Sequence, residues 1–232
     1  MTVDSHLSWT PHIRGETWRP KGRNEPGVVH SLTTKVTAVR RLMWAMTASQ
    51  LRQYVEGTVQ SVIQYCLPVY ANSWGVGGRG EEGHMSLCTK EDIKRLQVLQ
   101  NKALRCLVKR QEGTSWDTLR HMGTGVLARK TGILSVNQIA ALATLTMLKK
   151  MMDSGKPRLV VERLRKTKSR HQTLSLNRPS SHQLKMTRES FMERAIGMWN
   201  IIPVYLKSTQ PRAKFKVEAK KWVRMNVPAK PD

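Results

Sequence analysis

Between Glu91 and Lys109 the apolar residues recur with the period of an α-helix. Ile93, Leu96, Leu99, Ala103 and Leu107 fall on one stripe at about 100° per residue. Lys94, Arg95, Lys102, Arg105 and Lys109 fall on the opposite side, with no acid among them. A solvated helix face ordinarily mixes Glu with Lys, because opposite charges one turn apart stabilise it. A face of one sign repels itself until an anion arrives. Two readings stay open for it: a plain solvated face, or a surface that meets phosphates.

The same period organises most of the chain. Leu32, Val36, Val39, Met43 and Met46 share a face, with Arg40 and Arg41 off it. Ser49 is placed to cap a second helix from Leu51 to about Tyr65, which Pro68 should kink or end. Residues 75–83 hold Gly75, Gly77, Gly78, Gly80 and Gly83, a Gly-rich loop with no Lys-Ser/Thr after it to make a nucleotide cradle. A short helix is expected over Trp116 to Met122. The stretch from Ser135 to Met152 is apolar nearly all round, so it should lie at the centre of a bundle. Phe191, Ala195 and Met198 follow helical spacing, and Ile202-Pro203 closes that helix. Pro211 starts the last one, which buries Phe215, Ala219 and Trp222 and turns Lys216, Lys220 and Arg224 outward.

The expected fold is therefore mainly α. A helical bundle over 31–155 precedes a basic arm over 156–188 and a small C-terminal helical module over 189–232. Residues 1–30 supply a loosely alternating strand piece (Val3, Leu7, Trp9) and a loop rich in Gly and Pro.

The charge narrows the partner. The chain carries a formal +24, and it is uneven: 19 basic against 10 acidic residues over 1–148, then 21 against 6 over 149–232. Arg163, Arg165, Lys166, Lys168 and Arg170 crowd the arm, where few apolar residues stand. Such a protein needs something acidic beside it; nucleic acid comes first and an anionic membrane surface second. No run of apolar residues is long enough for a transmembrane helix. Three scattered cysteines and no signal-peptide pattern fit an intracellular, nuclear or cytoplasmic, setting.

Catalytic groupings are sparse. The acid pairs Glu81-Glu82 and Glu91-Asp92 lie in the Gly-rich loop and at a helix start, and the second pair is explained by the helix dipole. His84 and Cys88 make half a zinc site, and Cys66 and Cys106 would complete it only by an accident of folding. No nucleophile–base pair stands out, so no catalytic residue and no metal ligand is assigned. Trp199 and Trp222 have the spacing of core residues rather than of base-stacking ones.

The C-terminal segment is distinctive: Ser190-Phe191, Arg194-Ala195, Trp199-Asn200, Ile202-Pro203, then Phe215-Lys216 and Lys220-Lys221-Trp222. It resembles the ending of LINE-like (non-LTR) retrotransposon reverse transcriptases. The helix from Leu96 to Leu107, with Gln100-Asn101 at its centre, is similar to a helix of that family. Val3 to Ile13, with Asp4 and Trp9, looks like the segment that closes the palm before the thumb, and Leu51 to Trp74 resembles the thumb region.

The resemblance implies the thumb and post-thumb part of an RNA-directed DNA polymerase, with fingers and most of the palm upstream of Met1. The palm's Asp-Asp pair, which would hold Mg2+, does not occur in this sequence. The resemblance thus implies no activity and no cofactor for the chain alone. It implies sequence-nonspecific binding of a template–primer duplex or element RNA, and an upstream palm polypeptide as a further partner. The alternatives are an active reverse transcriptase completed by that upstream part, a basic helical interaction module, or a remnant without selected function.

Overall fold

A computed structural model describes residues 28–70, 90–162, 164–166, 173–176 and 191–229. The expected strand piece with Asp4 and Trp9, the Gly-rich loop with Glu81, Glu82, His84 and Cys88, and the arm residues Arg163, Lys168 and Arg170 lie outside the described residues.

The described chain is mostly helical. Helix α1 spans Val28–Leu42 and buries Leu32, Val36 and Val39, with Met43 just beyond it. Helix α2, Ala48–Tyr54, is capped by Thr47 rather than Ser49. The Thr47 hydroxyl accepts from the Gln50 backbone N–H while the Gln50 side chain accepts from the Thr47 N–H. This reciprocal pair satisfies two donors at once, which Ser49 cannot do from inside the first turn.

The helix does not end near Tyr65. It widens into a π-helical segment, Val55–Gln60, and continues as α3, Ser61–Tyr70. The hydroxyls of Thr58 and Ser61 donate back to the Tyr54 and Gly57 carbonyls there. Pro68 lies inside α3, Ser61–Tyr70, so it does not end the helix where the sequence leads one to expect.

Helix α4, Lys90–Glu112, is the longest. Its stripe is buried as the period demands: Ile93, Leu96, Leu99, Ala103 and Leu107, joined by Leu104 and Val108. Each buried Leu contributes about 2 kcal/mol of transfer free energy. Two short helices follow, α5 (Trp116–His121) and α6 (Thr124–Thr131), and Gly132 ends α6 in the left-handed conformation at φ +67°. Helix α7, Val136–Ser154, is buried over most of its surface and packs on α3, α4 and the C-terminal helices, at the centre where its composition puts it.

Within the expected arm, the backbone forms a short helix α8 (Arg158–Val161) and an antiparallel pair, β1 (Leu164–Lys166) with β2 (Leu174–Leu176), in register Leu164 to Leu176. The arm is thus not linker throughout: Leu174 is buried in the common core, and Arg165 and Lys166 lie in β1.

The C-terminal helices are α9 (Phe191–Ile201), α10 (Val204–Ser208) and α11 (Arg212–Asn226). Helices α9 and α11 pack directly on α7, so the bundle and the C-terminal segment share one hydrophobic core. Helix α11 buries Phe215, Ala219 and Val223; Trp222, expected on that face, is half-buried at its margin, because the next residue completes the i, i+4, i+8 stripe.

Candidate nucleic-acid interface

The uniformly positive side of α4 divides into two halves. Lys94, Arg95 and Lys102 are exposed, with Val98 in the open between them. Arg105 and Lys109 are half-buried, because α5 folds back over that end of the helix. The Arg105 Nε donates to the Leu119 carbonyl at 2.9 Å, a second donor beside the Met122 N–H that caps α5. Lys109 Nζ lies 6.0 Å from the centroid of the Trp116 ring, in cation–π contact. The phosphate-facing role expected for all five therefore narrows: Arg105 is engaged with the protein's own backbone, and Lys109 with an indole.

The third strip behaves similarly. Lys216 and Lys220 on α11 are exposed. Arg224 is exposed too, but its Nη2 donates to the Gly132 carbonyl at 2.8 Å, tying α11 to the turn between α6 and α7.

Charge pairing shows where the positive excess remains. Each of the six acids with a described side chain has a basic partner: Glu56 with Arg52, Glu112 with Lys130, Asp117 with Arg120, Asp153 with Lys149, Glu162 with Arg158, and Glu218 with Lys221. Among the described residues without acidic partners are Arg40, Arg41, Arg95, Lys102, Arg110, Lys216 and Lys220 on the outer faces of α1, α4 and α11, with Lys214 beside them on α11 and Arg129 and Lys150 on α6 and α7. The exposed ion pairs add little stability; their consequence is that the remaining charge on the described residues is one-signed and is densest on α1, α4 and α11.

The family-like residues have structural work. Gln100 is fully buried; its Nε2 donates to the Leu134 carbonyl at 2.8 Å and to Gln60 Oε1 at 3.2 Å. Asn101 donates to Thr124 Oγ1 at 3.0 Å and accepts from Gln97, whose own carbonyl accepts from the Val136 N–H that begins α7. Ser135 and Gln138 close a capping box on the same helix start, and Gln138 donates to the Val227 carbonyl. A polar seam thus ties α4, the start of α7 and the C-terminal end together. Sequence reading missed this seam.

Trp199 is buried and stacked on Phe215, centroids 6.1 Å apart, so its expected core role holds and base stacking is closed to it. Asn200 presents both ends of its amide to Leu174: Oδ1 accepts from the Leu174 N–H at 2.8 Å and Nδ2 donates to its carbonyl at 3.1 Å, as a neighbouring strand would. Pro203 is the cap residue of α10, and Phe191 packs against the core. Arg194 lies in α9, and nothing further is assigned to it.

Two lysines unmarked in the sequence turn out to be buried, Lys149 and Lys207. They line a cavity of about 260 Å³ with Met152, Asp153, Trp199 and Gln210. Lys149 is paired with Asp153 at 3.0 Å and sits over the Phe215 ring at 5.9 Å. Lys207 donates to the Asn200 carbonyl, and burial pushes its ammonium below the usual lysine range. Cys106 is buried as well, with its thiol pushed up by burial, and no group of three metal-ligating side chains occurs among the described residues.

Comparison with protein-family models, curated proteins and solved structures finds no match for the chain.

Proposed function

We propose that the chain binds nucleic acid through its phosphates, without chemistry of its own, as the gripping part of a LINE-like reverse transcriptase lacking its palm. The observation that carries this reading is the charge left after pairing: Arg40, Arg41, Arg95, Lys102, Arg110, Lys216 and Lys220 keep no acidic partner among the described residues. Phosphate contacts position a nucleic acid and do not read its sequence. The family likeness of the segments around Gln100-Asn101 and Trp199-Asn200 supports the assignment of a place beside a polymerase palm. Mg2+ chemistry would belong to a palm, and no step of it is assigned to residues of this chain.

The test is the salt dependence of binding to a mixed-sequence duplex and to an RNA of equal length. About six neutralised phosphates predict a slope of roughly −5 in log affinity against log salt, with little difference between sequences. A slope near zero would remove the proposal. So would primer extension by the isolated chain, since the Asp-Asp pair such chemistry needs is not in its sequence.

A further inference from the structure

Trp44 is 68% exposed, although an indole is among the most costly side chains to leave in water. It stands in the turn that continues α1, where Met43 N–H still bonds to the Val39 carbonyl and Met46 N–H to the Leu42 carbonyl. The backbone is therefore helix-like at Trp44. Arg40 and Arg41, four and three residues before it, are its neighbours on one surface.

A third guanidinium comes from α4. Arg110 Nε donates to the Met46 carbonyl at 2.8 Å, which holds that side chain against the Trp44 turn. Arg40 faces the same end of α4, close enough for its charge to act on Cys106, one turn before Arg110. Among the described residues none of these three arginines has an acidic partner.

Two costs therefore meet at one place: a bare aromatic face, and three like charges around it. A ligand that relieves both must carry a flat apolar face and anions spaced along a backbone. We propose that Trp44 is a base-stacking residue for single-stranded nucleic acid, with Arg40, Arg41 and Arg110 holding the flanking phosphates.

A duplex satisfies only half of this surface, because its base faces are already stacked. An acidic peptide meets the charge and offers the indole little. A lipid surface would want a wider apolar face than the one indole beside the exposed Ala45 and Thr47. Aromatic stacking with cationic flanks is the general solution for single strands. The inference rests on the nucleic-acid reading above and adds to it a named residue and a strand state.

The experiment uses the full chain, Trp44→Ala, Trp44→Phe and Arg40→Gln/Arg41→Gln. The probes are a labelled thymidine oligomer of about 15 nucleotides, an abasic phosphodiester strand of equal length, a duplex, and phosphatidylserine vesicles. Trp44→Ala should weaken oligomer binding about ten-fold while leaving the abasic strand, the duplex, the salt slope and the melting temperature as they were. Trp44→Phe should restore most of the loss. The double arginine variant should weaken all three nucleic acids and flatten the slope.

Wild-type binding that Trp44→Ala leaves intact overturns this inference alone. Equal losses on the abasic strand overturn it too, as does a loss confined to the vesicles, which would make the patch a lipid contact. Failure of the wild-type chain to bind any of the nucleic acids overturns the broader reading with it.

Discussion

Gln100 holds three segments of the chain through one amide. It is fully buried, donates to the Leu134 carbonyl and to Gln60, and accepts from Gln97. Replacing it by Leu keeps the volume but strands those groups in the core. A buried donor or acceptor without a partner costs about 1–3 kcal/mol, so Gln100→Leu should lower unfolding free energy by roughly 2 kcal/mol or more in a urea titration. A neutral result would mean the seam tolerates rearrangement. Gln100-Asn101 stands out in the sequence as a motif, but its task does not, since the Leu134 carbonyl carries no sequence mark and is brought there by the fold.

Lys207 carries the opposite lesson, a charge that is buried although nothing in the sequence marks it. Its ammonium is lowered by burial, so above its folded pKa it is neutral in the native protein while the unfolded chain still binds a proton. Stability therefore rises as pH climbs from that folded value towards the ordinary lysine pKa. Lys207→Met should flatten the rise in melting temperature across the alkaline range; an unchanged slope would locate the titration elsewhere.

At the scale of elements, hydrophobic period foretells the helices well. The stripes of α1, α4 and α11 are buried nearly as spaced, and α7 is central because its apolar residues leave no outer face. What the period does not carry is which part of the polar side a neighbour will cover. The five cations of α4 look alike in sequence, and only the return of α5 separates Arg105 and Lys109 from Lys94, Arg95 and Lys102. That separation can be measured. Arg95→Ala with Lys102→Ala should weaken nucleic-acid binding and reduce the salt slope by about two, with the melting temperature unchanged. Arg105→Ala should do the reverse: it removes the side-chain bonds from α4 to the Leu119 and Met122 carbonyls and costs about 1 kcal/mol, with little change in binding. If both variants alter binding equally, the face is one surface after all. The caps follow the same division. Thr47 with Gln50 and Ser135 with Gln138 form the same capping box at the same spacing, and in neither case does the apolar period point to it.

For the whole molecule, the arm and C-terminal segment look in sequence like pieces joined to a finished bundle, since composition changes at Gly155 and order returns at Phe191. Composition tracks charge and cannot show which apolar stripe is left open. In the structure that stripe belongs to α7, and α9 and α11 cover it. Ile196, Met198, Trp199, Ile202, Leu206, Phe215, Val223 and Val227 are buried in the common core, and Gln138 and Arg224 add bonds across the junction to the Val227 and Gly132 carbonyls. At about 1.5–3 kcal/mol each, those side chains supply more than roughly 10 kcal/mol of gross transfer energy, comparable with the whole net stability of a domain, about 5–15 kcal/mol. A chain cut before Phe191 would leave α7 with an open apolar face and Lys149 without the Phe215 ring above it. Such a fragment is expected to lose its cooperative thermal transition by circular dichroism and to aggregate, while a second polypeptide covering 191–232, mixed in, should restore part of the transition. A fragment that melts cooperatively by itself at a temperature near that of the full chain would show instead that the bundle is complete without its C-terminal helices, and that the basic strip on α11 is carried on a detachable module.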